Sequence, residues 1–81
     1  MKATLSIVTG ASRGLGHAVA QLLLTRGHQL LSISRQTPDL SSPLLQHWSA
    51  DLADAAAVAA RLEAWLSERG PETFGAVNLI N

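Results

Sequence analysis

The chain has 81 residues, 47% of them hydrophobic and 15% charged, and its six basic residues balance its six acidic residues. This composition indicates one small globular domain over residues 1–81, without the basic excess typical of proteins that bind nucleic acid or anionic membranes. The absence of cysteine excludes disulfides and thiolate metal sites. No apolar stretch approaches the ~18 residues of a membrane span, and no signal peptide is recognisable, so we expect a soluble cytoplasmic protein.

The first elements predicted along the chain are a buried strand over residues 3–9, a glycine-rich turn and a helix over 15–26. The helix carries apolar residues at the spacing of one helical face, Leu15, Ala18, Val19, Leu22 and Leu23. Gly27 stands where a left-handed C-terminal cap is expected. A strand that enters a helix through such a turn favours an anion, because the free backbone N–H groups and the positive end of the helix dipole lie together.

The middle of the chain predicts two further strands separated by a loop. The second strand covers residues 29–34, and Arg35 follows at its carboxyl end. Prolines and turn-forming residues make 37–43 a loop. A weaker third strand is predicted over 44–49, so the chain begins as strand, helix, strand, loop and strand.

The last part of the chain predicts a second helix and a fourth strand. Asp54 can cap a helix that runs to about residue 69, with an apolar face formed by Val58, Leu62, Trp65 and Leu66. The apolar residues 76–80 predict the fourth strand. The alternation of strands and helices predicts an α/β fold, a partial Rossmann-type doubly wound parallel sheet of about four strands in the order 3-2-1-4. Ligands bind such sheets at the carboxyl ends of the strands.

The glycine turn has a diagnostic spacing. Its glycines do not follow the common dinucleotide fingerprint at relative positions one, three and six, and no Lys-Ser/Thr pair follows as in a P-loop. Thr9, Gly10, Gly14 and Gly16 instead match the TGxxxGxG pattern, so the turn resembles the signature of the short-chain dehydrogenase/reductase family. The resemblance extends over essentially the whole chain, as the amino-terminal half of one NAD(P)-binding domain. The resemblance implies that the cofactor pyrophosphate lies at Gly10, Ala11, Ser12, Arg13, Gly14, Leu15 and Gly16.

The end of the second strand bears on the choice of cofactor. Ser34 and Arg35 stand where members of this family that use NAD usually carry an acid. A guanidinium pairs with a phosphate in bidentate geometry, so the resemblance implies NADP rather than NAD, with Arg13 as a second cation near the 2′-phosphate. The alternative is that Arg35 is an ordinary solvated charge at a strand end.

Two further positions are similar to family motifs. Asp51 and Leu52 resemble the acidic and apolar pair that lies beside the adenine ring, although Asp51 can equally serve to start the next helix. Residues 79–81 resemble the opening of the NNAG motif, which implies that Asn81 lies near the nicotinamide ribose.

The resemblance implies catalysis in which a tyrosine, its pKa lowered by a lysine, transfers a proton while a serine holds the substrate oxygen. The chain has no tyrosine, and its only lysine is Lys2. We therefore expect no catalysis by these 81 residues alone, and we expect a carbonyl or alcohol substrate only in a longer parent protein.

Two alternatives to a cofactor-binding part of an oxidoreductase stay open. One is a non-catalytic dinucleotide-binding or regulatory module; the other, a nucleotide-dependent methyltransferase, is disfavoured by the glycine spacing.

The sequence offers little evidence for metal sites or oligomers. The three histidines share no metal-like spacing. No oligomeric state can be argued from the 81 residues. A fourth strand at the end of the sheet would leave an apolar edge open to association.

Overall fold

The fold follows the predicted alternation of strands and helices. A computed structural model describes residues 3–10, 14–69 and 73–80. The elements in chain order are β1 (Ala3–Thr9), α1 (Gly14–Thr25), β2 (Gln29–Ser34), β3 (Leu45–Ser49), α2 (Ala55–Arg69) and β4 (Phe74–Ile80). The strands form one parallel sheet in the order β3-β2-β1-β4. The predicted α/β fold and strand order 3-2-1-4 are confirmed.

The core lies on both faces of the central strands β1 and β2, as is usual for parallel strands covered by helices. The cluster on the α2 side consists of Leu5, Ile7, Leu31, Ile33 and Trp48. The four apolar residues predicted for one face of α2 all pack against it: Val58, Leu62, Trp65 and Leu66. The cluster on the α1 side consists of Val8, Ala20 and Leu30.

The apolar face predicted for α1 is partly wrong. Ala20 is fully buried, and Leu23 and Leu24 pack against the core cluster on that side of the sheet. Leu15 and Leu22, which the spacing assigned to the buried face, are 81% and 50% exposed. The small Ala20 side chain lets the helix approach the sheet closely, and three consecutive leucines at 22–24 give the helix two overlapping apolar faces. Periodicity alone could not choose between them.

The end of α1 is a Schellman motif, as the glycine after the helix predicted. The Gly27 N–H donates to the Leu24 carbonyl at 3.0 Å, and the His28 N–H donates to the Leu23 carbonyl at 3.1 Å. Gly27 has φ +82°. This pair of bonds satisfies carbonyls that the helix leaves without a partner and turns the chain into β2.

The other boundaries differ little from the prediction. Both ends of β1 and β2 are confirmed, whereas β4 begins at Phe74, two residues earlier than predicted. The Asp54 carboxylate accepts from the Ala57 N–H at 3.4 Å, a long bond for a helix cap. The residues predicted to end α2, Gly70 and Pro71, lie outside the described residues. Within the described ranges, neither helix combines the length and the hydropathy needed to cross a bilayer.

In the described part of the chain β4 lies at one end of the sheet, where it pairs with β1. Its Val77 and Leu79 side chains are 49% and 65% exposed. An unprotected apolar edge strand is a template for pairing with another chain, and one small core supplies little stability. We therefore expect the isolated 81-residue chain to be marginally stable and to self-associate.

The edge is tested by comparing Leu79→Lys with Leu22→Lys in sedimentation experiments. A charge on the edge strand opposes strand pairing, so Leu79→Lys shifts the chain toward monomer. Leu22→Lys changes a similarly exposed leucine on α1 and leaves association as it is. A monodisperse monomer before any substitution, or equal effects of the two variants, would show that the edge does not drive association.

Candidate functional site

Backbone hydrogen bonds hold the glycine turn and the carboxyl ends of the strands together at one edge of the sheet. The Gly10 N–H donates to the Ile33 carbonyl at 3.3 Å, which ties the start of the turn to the end of β2. The Ala50 N–H donates to the Ser34 carbonyl at 3.0 Å, which ties β3 to the same place. Residues that follow the three strands are therefore neighbours, although they are far apart in sequence.

The turn itself depends on the backbone conformation of two glycines. Gly10 has φ +72° and Gly14 has φ +66°, a region that side chains with a Cβ rarely adopt. A Cβ built at either position would meet nothing within 4 Å, so strain rather than crowding favours glycine there. The first turn of α1 carries no acidic residue that would neutralise the positive end of the helix dipole. This end of the sheet is suited to an anion.

An open cavity of about 280 Å³ adjoins the turn, lined by Val8, Thr9, Gly10, Leu15, Gly16, Val19 and Ile80. Three residues predicted to lie at the pyrophosphate, Gly10, Leu15 and Gly16, thus share one cavity. The exposure of Leu15 has a structural reason here, because its side chain lies at the cavity and not against the sheet.

Arg35 and Asp51 form an ion pair across the ends of β2 and β3. The Arg35 Nη2 atom is 3.1 Å from Asp51 Oδ1, and the two side chains are 74% and 53% exposed. The same carboxylate oxygen accepts from the Ala53 N–H at 2.9 Å. The Ala53 N–H, and after it the Arg35 guanidinium, hold the pKa of Asp51 below its ordinary value. Asp51 therefore stabilises the turn before α2 and forms the ion pair with Arg35 at the same time.

The ion pair between Arg35 and Asp51 was not predicted from the sequence. The sequence does contain a signal for the pair. β2 and β3 are neighbours in the predicted strand order, the basic Arg35 directly follows β2, and the acidic Asp51 stands two residues after β3. The register aligns Ser34 with Ser49, so Arg35 lies one residue past this pair and Asp51 two residues past it, at the same edge of the sheet.

Ser34 and Leu52 differ in how open they are. Ser34 is 5% exposed, and its hydroxyl donates to the Gln36 carbonyl at 2.7 Å, so its proton is committed within the chain. Leu52 is 42% exposed. It lies at an apolar groove of about 310 Å³ between α2 and the sheet, together with Ile33 and Leu79.

Two comparisons match nearly all of this chain to one kind of protein. Benzil reductase ((S)-benzoin forming) of Bacillus subtilis (strain 168) is 35% identical over 77 residues, which are 95% of this chain and 32% of the reductase. A crystal structure of a short-chain dehydrogenase/reductase SDR from Burkholderia vietnamiensis matches with TM-score 0.77 and 32% identity, over 94% of this chain and 38% of that one. Over nearly its whole length, the chain is similar to part of a short-chain dehydrogenase/reductase.

A more distant short-chain dehydrogenase, from Leptospira borgpetersenii and crystallised with bound NAD+, matches with TM-score 0.73. Its identity is 14%, over 85% of this chain and 28% of that one, so it shows the shared fold alone. The chain spans about a third of the length of the relatives that it matches. A scan against models of protein families finds no match.

Four of the residues implicated by the short-chain dehydrogenase/reductase resemblance, Ala11, Ser12, Arg13 and Asn81, lie outside the described residues. Of the others, the structure gathers Gly10, Gly14, Arg35 and Asp51 at the carboxyl edge of the sheet. The described part of the glycine turn and the Arg35–Asp51 ion pair define the geometry of this edge.

The histidines contact polar groups elsewhere in the chain. His28 Nδ1 lies 3.0 Å from the buried Ser6 hydroxyl, and His47 Nδ1 lies 3.1 Å from the buried Ser32 hydroxyl. Burial lowers the pKa of His47, which favours its neutral form. In the stretches of the chain that the structure describes, no group of three histidines and carboxylates could hold a metal.

Proposed function

We propose that the chain is the NADP-binding part of a short-chain oxidoreductase. The observation that carries the proposal is the position of Arg35, which is 74% exposed at the same sheet edge as the glycine turn. A guanidinium offers planar, paired N–H donors to a phosphate and keeps its charge at all physiological pH values. Arg35 would thus bind the 2′-phosphate that distinguishes NADP from NAD.

The remaining residues of the edge suit the other parts of the dinucleotide. The backbone N–H groups of the turn and of the first turn of α1 would bind the pyrophosphate, from Gly10 to Gly16. Leu52 offers apolar surface to the adenine ring, and the Asp51 carboxylate can accept a hydrogen bond from the adenine amino group. Asn81 would lie near the nicotinamide ribose.

The bound dinucleotide would supply the hydride chemistry, and the chain's own residues would bind and orient its adenosine and pyrophosphate. The 81 residues contain no tyrosine that could transfer the proton, and their only lysine, Lys2, precedes β1 in the sequence. We therefore assign proton transfer and the carbonyl or alcohol substrate to a longer parent protein. The cytoplasmic location expected from the sequence stays a prediction.

Substitution of Gly14 by alanine tests the proposed pyrophosphate site. A Cβ costs about 1–2 kcal/mol in the left-handed conformation, so the turn of Gly14→Ala relaxes in the free chain and must be strained again to bind, which lowers the affinity for NADPH and NADH alike by about tenfold. Both affinities are measured by isothermal titration calorimetry. The loss is shared because both cofactors carry the pyrophosphate.

Gly27→Ala is the matched control. Gly27 also has a positive φ and open space around a Cβ, but it lies at the opposite end of α1. This variant suffers similar strain and keeps the affinity of the unsubstituted chain. Equal losses in the two variants, or no loss in Gly14→Ala, would contradict a pyrophosphate site at the turn.

A further inference from the structure

The ion pair between Arg35 and Asp51 has a consequence for the choice between the two cofactors. We propose that Asp51 is a specificity-determining residue that weakens the selection of a 2′-phosphate by Arg35 and so keeps the site open to NADH. This inference rests on the proposed function, since it concerns how strongly the same site prefers NADP.

Asp51 is the fixed partner of the pair and Arg35 is the adaptable one. The Asp51 carboxylate belongs to a turn in which it accepts from the Ala53 N–H, while the Asp51 carbonyl accepts from the Asp54 N–H at 3.0 Å. Arg35 has a long side chain and the larger exposed fraction. The guanidinium is therefore drawn toward the end of β3.

A 2′-phosphate that approaches Arg35 meets two obstacles from this carboxylate. Asp51 Oδ1 already occupies the Nη2 donor of Arg35 at 3.1 Å, and it places a negative charge beside the incoming phosphate. The pair is exposed, and exposed ion pairs are weak and screened by salt, so the phosphate can displace the carboxylate. Asp51 thus reduces the preference for NADPH without abolishing it.

The same carboxylate favours the cofactor without the phosphate. A carboxylate accepts hydrogen bonds from ribose hydroxyls, which is the role of the acid that follows the second strand in NAD-binding folds of this type. Asp51 follows the neighbouring strand, and its own turn holds it at the same edge, with Oδ1 3.1 Å from Arg35 Nη2. The Asp51 carboxylate therefore offers a hydrogen-bond acceptor to the ribose hydroxyl of NADH, whereas it repels the 2′-phosphate of NADPH.

The test compares the dissociation constants of NADPH and NADH for Asp51→Asn, measured by calorimetry at low salt. Asparagine keeps an oxygen that can accept from Ala53 and from adenine, but it removes the negative charge. The ratio of NADH to NADPH dissociation constants rises about two- to fivefold, as expected for an exposed charge pair, and the gain shrinks as salt is added. A loss of the adenine contact would weaken both cofactors equally and leave the ratio unchanged.

Asp54→Asn is the control, because it makes the same charge change three residues further on, at a carboxylate that accepts from a helix N–H. It leaves the ratio unchanged. The pair itself is tested by Asp51→Asn in an Arg35→Ala background, where the substitution no longer changes the ratio. An unchanged or lower ratio in Asp51→Asn alone overturns the inference.

Failure of the inference is distinguishable from failure of the proposed function. If Arg35→Ala lowers the ratio and Asp51→Asn does not raise it, the inference alone fails. If Arg35→Ala leaves the ratio unchanged, Arg35 does not read the 2′-phosphate and the proposed NADP site fails with the inference. A chain that binds neither cofactor overturns both.

Discussion

Arg35→Asp lowers the affinity of the chain for NADPH by about 30-fold or more, because charge-assisted hydrogen bonds are lost and a like charge takes their place. The affinity for NADH is retained or rises, since an acid at the end of β2 can accept from the ribose hydroxyls. The preference between the cofactors is thereby reversed. Calorimetric titration of the variant with each cofactor measures both affinities.

Arg26→Asp controls for the reversal of charge. Arg26 follows the carboxyl end of α1, so it lies away from the edge where α1 begins and the strands end. The variant keeps the preference for NADPH. Equal losses for NADPH and NADH in Arg35→Asp would indicate a general disturbance of the site and would contradict a role in reading the 2′-phosphate.

Leu31→Ala removes most of the stability of the fold. Leu31 is fully buried in the central strand β2, within the core cluster on the α2 side. Replacing a buried leucine by alanine costs about 2–5 kcal/mol, whereas this marginally stable chain lies near the lower end of the range of about 4–12 kcal/mol for the free energy of unfolding of a domain of this size. The variant is partly or wholly unfolded at room temperature.

Urea unfolding followed by circular dichroism measures the effect of Leu31→Ala. Leu22→Ala is the matched control, because Leu22 is 50% exposed on α1 and its loss leaves no comparable cavity. We expect a change below about 1 kcal/mol for this control. Equal destabilisation by the two variants would show that the core does not lie where the structure has it.

The strands at the centre of the fold were predictable because burial on both faces requires continuous apolar runs. Residues 3–9 and 29–34 approach such runs, interrupted only by small polar side chains and by Gln29, and both strands form at the predicted bounds. The strand order followed from the right-handed crossover of parallel units. The earlier start of β4 was not predictable, since Gly75 is a poor strand former and has no partner in β1, where the register shifts between the pairs Ala3–Phe74 and Thr4–Ala76.

The site was predictable in its parts and not in its interactions. The turn glycines follow from spacing, and Gly10 and Gly14 have the positive φ values that explain why glycine stands there. The contact between Arg35 and Asp51 depends on the register of β2 and β3, which a single sequence does not specify. The exposure of Leu15 likewise depends on which of two apolar faces α1 turns toward the sheet.

The most direct test of an NADP site is calorimetric titration of the 81-residue chain with NADPH and with NADH, at low and at moderate salt. We predict that both bind and that NADPH binds more tightly, with a difference that narrows as salt screens the phosphate from Arg35. Equal affinities at low salt, tighter binding of NADH, or no binding of either cofactor would contradict an NADP site at this edge of the sheet.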